Sequence, residues 1–393
     1  MVKDPSPLVG QGVGDALGMP FETCKATDPR LTSWDGSYLP SEYHKLAPGQ
    51  WTDDTMMAKI VMESLFLCGG FYPQDLADRY RHWLISGDLR GMGKSTKHAL
   101  ENLVSGSPWC DSGIEGAEGS GTAMRAAPFG IFYHDDLYTA AEFARMDARI
   151  THRSIEAEEG SAAIAVAMGL VLTGVDPELL ISKVLGYLRD SNVKRKLVAT
   201  QVLVEKEKSG RSSYAPNYVA PPGSTLKEVL FENHLTTVDL SQATGLDKEL
   251  IEDLIGGNTH LSDTIASRLE SVLQIPSSFW LNLQSQYDTF RGLTGASRTL
   301  LRIGTSAHVV ETVPSAIAAF LLTTTFETSV SLAIRVGGDT DTRAAMTGAL
   351  AGTLYGFEAI PKKYREGLEN VDHFRRLEPK LFKGPRTSAL WML

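Results

Sequence analysis

Residues 336–356 read VGGDTDTRAAMTGALAGTLYG. Two glycines deliver the backbone into Asp339, Thr340, Asp341 and Thr342, and a helix-forming run with Ala344, Ala345, Gly348, Ala349 and Gly352 follows. Two aspartates one residue apart, on a glycine-relieved turn at a helix start, gather the oxygen ligands that hard divalent cations prefer. A helix N-cap needs only one oxygen. Gly-Gly-Asp-Thr-Asp-Thr offers four, and like charges this close are costly without a cation. Residues 49–57, GQWTDDTMM, echo the pattern, with Thr52, Asp53, Asp54 and Thr55 leading into an apolar helical run. Alone, this second cluster reads as a capped surface helix. Paired with the first, it lets four carboxylates converge on two cations.

Three further stretches carry groups that could serve such a centre. Residues 8–22, LVGQGVGDALGMPFE, miss the dinucleotide G-x-G-x-x-G spacing because Leu17 stands where the last glycine belongs. Gly14 and Gly18 instead suit a tightly packed helix around Asp15 and Ala16, and Glu22 follows it on a loop. On spacing alone Glu22 is a solvent-exposed residue. Residues 105–123 form a long Gly/Ser loop entering MRAAPFGIFY. A loop of this kind can cradle a phosphate with backbone N–H groups, or serve as a plain linker. His152 precedes an Ala-rich helical pattern at 157–172, where a lone histidine is more often a structural hydrogen-bonder than a catalyst.

The elements that must position these groups are helical. Apolar periodicity marks helices at 56–68, 75–86, 93–104, 157–172 and 176–208, and again from about 296 to 370. Residues 23–50 read as a long irregular loop, and the basic tail from Phe374 is expected to pack on the surface or to be partly disordered. The chain has 393 residues, 42% hydrophobic and 22% charged, with a net charge of −9. That balance describes a globular protein and argues against a general nucleic-acid or anionic-membrane binder. Three distant cysteines suggest neither a disulfide framework nor a zinc site. No secretory pattern opens the sequence, so a cytoplasmic location is expected. The most apolar segment, 161–172, is too short to cross a bilayer.

In order, GDALGMPFE, WTDDT, GSGTAMRAAP, TH before an Ala-rich helix, ETVPSAIAAF and GGDTDT…GALAGTLYG resemble the ADP-ribosylglycohydrolase family. That family includes the dinitrogenase-reductase-activating glycohydrolases. The resemblance spans about residues 8–210 and 290–370. It implies a compact all-α fold, two magnesium ions (manganese being an alternative) and hydrolysis of the bond joining ADP-ribose to an acceptor. Carried over motif by motif, Thr52, Asp53, Asp54, Asp339, Asp341 and Thr342 are the implied metal ligands. Glu22 is the implied mobile carboxylate, and Glu22 or Asp54 the general base. Gly119, Ser120 and Gly121 would line the ADP-ribose phosphate site with His152 beside them. Ser120 departs from the family's common asparagine, which bears on substrate detail.

Residues 224–288 differ in character, with ten Asp and Glu against three Lys and Arg. They divide the expected chain into a glycohydrolase domain at 1–220 and 289–393 and an insert at 221–288. Leu240, Ala243, Leu246, Ile251, Leu254 and Ile255, with Gly245 at the turn, fit a helix-turn-helix. The segment resembles the Xre-like domain of HigA-type antitoxins. Two partners are thereby implied for the insert, DNA or a protein. Asp247, Glu249, Glu252 and Asp253 on the recognition helix would repel phosphates. The expected function is a magnesium-dependent ADP-ribosyl-acceptor hydrolase acting on a protein side chain, a nucleic acid or a small molecule, with an antitoxin or immunity role as one form. The rival is an ADP-ribose-sensing transcriptional regulator.

Overall fold

A computed structural model describes residues 4–210, 222–290 and 293–384. The chain divides into two compact units, one of residues 1–208 with 299–393 and one of residues 209–298. The first unit begins with α1 (Pro7–Gly18), α2 (Pro29–Thr32), α3 (Asp53–Cys68), α4 (Pro73–Ser86) and α5 (Lys94–Val104). It continues with α6 (Ala127–Phe132), α7 (Leu137–Thr151), α8 (Ile155–Leu172), α9 (Leu180–Val184) and α10 (Asn192–Lys208). Among the described residues the one sheet is a two-residue parallel pair, Ile114–Glu115 with His152–Arg153. The fold is all-α, as its sequence pattern leads one to expect.

The second unit holds α11 (Pro222–Glu232), α12 (Thr237–Thr244), α13 (Lys248–Gly256), α14 (Asp263–Leu273) and α15 (Ser277–Phe290). Leu226, Leu240, Ile251, Leu254, Leu269 and Trp280 belong to its own buried core. Thr236 and Asp239 close a reciprocal capping box on α12, and Gly245 ends that helix at φ +66°.

The chain then returns through α16 (Gly295–Ile303), α17 (Val309–Leu321), α18 (Phe326–Arg335), α19 (Thr340–Tyr355), α20 (Lys362–Gly367) and α21 (Val371–Leu381). The axis of the first unit is the crossing of α1 on α19. Their small residues let the two backbones touch. A Cβ on Gly10 would lie 2.2 Å from the Gly348 carbonyl oxygen, and one on Gly14 would lie 2.0 Å from that of Ala344. Ser6 N–H donates to Gly352 O at 2.9 Å near one end, and Thr340 Oγ1 donates to Gly18 O at 2.8 Å near the other. α8 is buried from Glu156 to Leu172, which accounts for its uniform apolarity. No described helix is long and apolar enough to cross a membrane.

The tail corrects one expectation. Residues 374–384 do not sit loosely on the surface: α21 buries Phe374, Leu377, Glu378 and Leu381. Ser6 provides no side-chain cap for α1, and Glu378 supplies it instead, accepting from Leu8 N at 2.8 Å and Val9 N at 3.2 Å. A residue about 370 positions away thus satisfies the orphan amides of the first helix. Residues 385–393 lie outside the described residues.

Candidate active site

Two acidic helix starts face one another at the end of the α1–α19 crossing. At α3, Thr52 is the N-cap, its Oγ1 accepting from Asp54 N at 3.3 Å, and Asp53 and Asp54 form the first turn. Asp15 on α1 fixes this start, accepting from Thr52 N at 3.0 Å, Thr52 Oγ1 at 2.9 Å, Thr55 N at 3.1 Å and Thr55 Oγ1 at 2.6 Å. Gln11, one turn earlier on the same helix, donates through Nε2 to Asp54 O at 3.0 Å and Met124 O at 2.8 Å. α1 therefore holds the α3 carboxylates and the neighbouring Gly/Ser loop together.

At α19 the device is different. Gly337 and Gly338 adopt φ +69° and +81°, where a side chain is strained. Cβ atoms there would lie 2.3 Å from Cys24 O and 2.0 Å from Thr305 O. Thr23 N donates to Gly338 O at 2.9 Å and Gly338 N to Cys24 O at 2.7 Å, so the same turn anchors the loop bearing Glu22. Beneath it, the fully buried Arg343 donates to Ala333 O at 2.7 Å, Thr305 O at 3.3 Å and Gly337 O. Asp339 and Asp341 emerge from this turn, with Thr342 after them, all three buried.

Charge accumulates where the starts meet. Burial first, and then Asp15, push the Asp53 carboxyl up to about 7. Burial raises Asp54 well above the usual range, with further push from Asp15, Asp53 and Asp339. Asp341 is raised likewise, by burial and then by Glu22, Asp54, Asp339 and Asp15. Asp339 is raised by burial, although Arg343 opposes the shift. So many carboxylates cannot all ionise in a shared buried space without a cation among them.

The donor set fits such a cation. Asp54 Oδ1 is a buried polar atom with no hydrogen-bond partner, and Glu22 Oε2 and His44 Nε2, buried beside it, pair with each other. Glu22, His44 and Asp341 each present a ligand atom within 4.8 Å of the others. Glu22 leans in from its loop with its side chain 23% exposed, Oε2 lying 2.6 Å from His44 Nε2. The solvent-exposed position that its spacing suggested is thus only half right.

The Gly/Ser loop adjoins this cluster. Residues 118–120 run antiparallel to 307–309, with Ser120 N donating to Ala307 O at 3.0 Å and Val309 N to Glu118 O at 2.9 Å. The Ser120 amide is therefore committed, and a phosphate cradle must draw on other donors of the loop. Ser120 Oγ donates to Asp339 Oδ2 at 3.1 Å, joining loop and acidic cluster. His152 is buried against this loop: Cβ atoms on Gly119 and Gly121 would fall 3.3 and 3.2 Å from its ring. Burial and the nearby Arg125 hold the imidazole down to about 3, so it stays neutral and shapes the loop rather than carrying charge. Arg125, itself fully buried, donates to Gly121 O at 3.0 Å and to Asp147 Oδ2 at 2.7 Å, and Tyr80 OH completes the network by donating to Asp147 Oδ1 at 3.0 Å.

The ADP-ribosylglycohydrolase family model matches residues 7–233 and 234–389. The chain belongs to the ADP-ribosylglycohydrolase family. An uncharacterised protein of Archaeoglobus fulgidus is 26% identical, over 96% of this chain and 94% of its own length. ADP-ribosylhydrolase ARH3 of Homo sapiens is 25% identical over 93% and 88% of the two chains. ADP-ribosylarginine hydrolase Tri1 of Pseudomonas putida is 23% identical over 98% and 79%. A solved structure titled ADP-ribosylglycohydrolase-related protein complex shares the fold, with a TM-score of 0.61, 24% identity and 96% of each chain covered. As a member of this family the chain is a hydrolase of glycosidic bonds.

Sequence reasoning named the acidic residues of this centre but missed those that hold them. Asp15, Gln11, Arg125 and Arg343 act through contacts with distant segments, and His44 lay in a stretch with no periodic pattern. An Asp in a helix built from glycines, and an Arg inside MRAAP or TDTRAA, are signals that could have been followed, since a buried charge needs a partner.

Proposed function

We propose that this protein is a magnesium-dependent hydrolase that releases ADP-ribose from a modified acceptor. The observation that carries the reading is the convergence of both acidic helix starts with the Glu22 loop on one buried spot, beside a Gly/Ser loop tied to Asp339 through Ser120. Thr52, Asp53, Asp54, Asp339, Asp341 and Thr342 would hold two cations, with Glu22 closing over them. Bound there, the cations would polarise a water and grip ribose hydroxyls.

The remaining work falls to side chains. Glycosidic cleavage at ribose passes through an oxocarbenium-like state, and a ring of carboxylates favours the positive charge that develops at the anomeric carbon. Asp54, through its unpartnered Oδ1, or Glu22 takes the proton of the attacking water. The Gly119–Gly121 loop holds the diphosphate and so orients the anomeric carbon. The names of the relatives favour an ADP-ribosylated side chain, arginine or another, as the acceptor. An antitoxin or immunity role remains a narrower form of this reading; coexpression with a neighbouring ADP-ribosyltransferase should then relieve its toxicity.

The DNA-regulator reading gains nothing from the second unit. Asp247, Glu249, Glu252 and Asp253 are all exposed on or beside α13, and Lys248 is paired with Glu252 at 3.2 Å. Such a face repels phosphates. Free ADP-ribose should be released from one member of a panel of ADP-ribosylated arginine, serine and DNA, with magnesium and not with a chelator. Asp339→Ala should abolish both cation binding and release, by at least about a thousandfold in rate. Full activity in that variant would overturn the assignment.

A further inference from the structure

Among the described residues His44 is the one nitrogen donor in an otherwise all-oxygen centre, and its placement is built rather than incidental. The hairpin carrying it is closed by Ser41 N donating to Leu46 O at 3.0 Å and Leu46 N to Ser41 O at 3.2 Å. Ser41 Oγ accepts from His44 N at 3.2 Å and sits 3.3 Å from Met19 O, which ties the hairpin to the end of α1. Tyr43 packs edge-on to the imidazole at 4.8 Å between ring centroids. Gly91 lies so close that a Cβ there would come within 2.5 Å of His44 Nδ1. The side chain is only 4% exposed, and Nε2 points into the acidic cluster, where Glu22 pairs with it.

Its neighbours are 2.6 Å away at Glu22 Oε2 and 3.6 Å away at Asp341 Oδ2. Ligand atoms sharing one small cation lie about 3 Å apart, since each stands about 2.1 Å from it. The two separations from Nε2 bracket that value, and all three ligand atoms lie within 4.8 Å of one another. Glu22 alone would make a simple pair with the imidazole; Asp341 Oδ2, 3.6 Å from the same nitrogen, adds a third donor, and the three ligand atoms together outline a cation site.

We propose that His44 Nε2 is a metal ligand, joining Glu22 and Asp341 on one cation and biasing that position toward first-row transition ions over magnesium. The inference rests on the metal-dependent reading above and changes its metal preference. Imidazole suits zinc, iron and nickel, whereas carboxylate and water suit magnesium and manganese; Zn2+ is therefore the ion that reports the preference and Mn2+ the paramagnetic probe of the ligand.

The test uses the full-length protein with Mn2+, Zn2+ or Mg2+ alone, without substrate. Pulsed EPR of bound Mn2+ should show coupling to a histidine nitrogen, and His44→Gln should remove it. In the same variant Zn2+ affinity should fall about tenfold or more while Mg2+ affinity moves by less than about threefold. Glutamine keeps an amide donor for Glu22, so a purely orienting role would leave both affinities and their ratio in place. Gly91→Ala, whose Cβ would press on His44 Nδ1, should weaken the nitrogen coupling as well. Mn2+ bound to the unaltered protein with no nitrogen coupling overturns the role of His44 and leaves the hydrolase reading intact. Failure of the unaltered protein to bind any divalent cation overturns both.

Discussion

α3 begins with a threonine cap at ordinary backbone angles, whereas α19 begins with Asp339, which makes no side-chain cap, after two glycines at positive φ. The first start is fixed by side chains: Asp15 gathers the amides and hydroxyls of Thr52 and Thr55. The second is fixed by backbone: Gly337 and Gly338 press against Cys24 and Thr305 while Arg343 collects carbonyl oxygens. Both deliver paired carboxylates to the same place. A side-chain anchor can be weakened by degrees, but a backbone turn that only glycine fits has no intermediate state.

The largest effect should therefore come from Gly338→Ala. Its Cβ would lie 2.0 Å from Thr305 O, at φ +81°, and neither the carbonyl nor the turn can give way. A loss of more than about 4 kcal/mol in denaturant unfolding is expected. Stability close to the unaltered protein would mean that the α19 start is no more rigid than that of α3.

Asp15→Ala probes the other anchor. It strands two amides and two hydroxyls in a site shut off from water, at a cost of about 3 kcal/mol. It also removes the charge that, after burial, contributes most to raising Asp53. The two consequences separate experimentally: unfolding should show the loss, while the Asp53 carboxyl, followed by NMR titration, should fall from about 7. Asp15→Asn keeps one acceptor oxygen and should lose clearly less stability than the alanine variant.

The two starts also differ in how far they could be read from sequence. Both acidic runs announce themselves locally, because Thr-Asp-Asp-Thr and Asp-Thr-Asp-Thr crowd oxygens within one helical turn. The α1–α19 crossing is legible too: Gly10, Gly14, Gly348 and Gly352 repeat at the spacing of close helix contact. Anchors are not legible in this way. Asp15 meets Thr52 across 37 residues, and Glu378 meets Leu8 across 370, so no periodicity in a short window reports either bond. His44 escaped notice because residues 23–50 contain little regular structure beyond α2 and the Ser41–Leu46 bridge. The second unit shows the converse, where a strong local pattern indicated helices and a turn but the charge of the exposed surface governs what that surface can bind.

α1 touches both starts, so a change at its N-terminus should act on them together and erase the contrast. Glu378 is fully buried there, and burial pushes its carboxyl up to about 7, against an ordinary value of 4.5. A raised folded-state value means that the protonated form is favoured on folding. The stabilising contribution is complete below about pH 4.5 and is lost as pH rises through about 7. Protonated at Oε2, Glu378 can donate to Ser6 Oγ, 2.8 Å away, while Oε1 keeps accepting from Leu8 and Val9. Glu378→Gln reproduces that arrangement at every pH, although it gives up the Arg375 contact at 3.5 Å. The variant should match the unaltered protein near pH 4 and exceed it by about 2 to 3 kcal/mol near pH 8, with thermal unfolding across that range as the measurement. A parallel pH slope in both proteins would show that the carboxylate is already ionised and held by the α1 amides, so that the helix is capped by a charge rather than by a neutral acid.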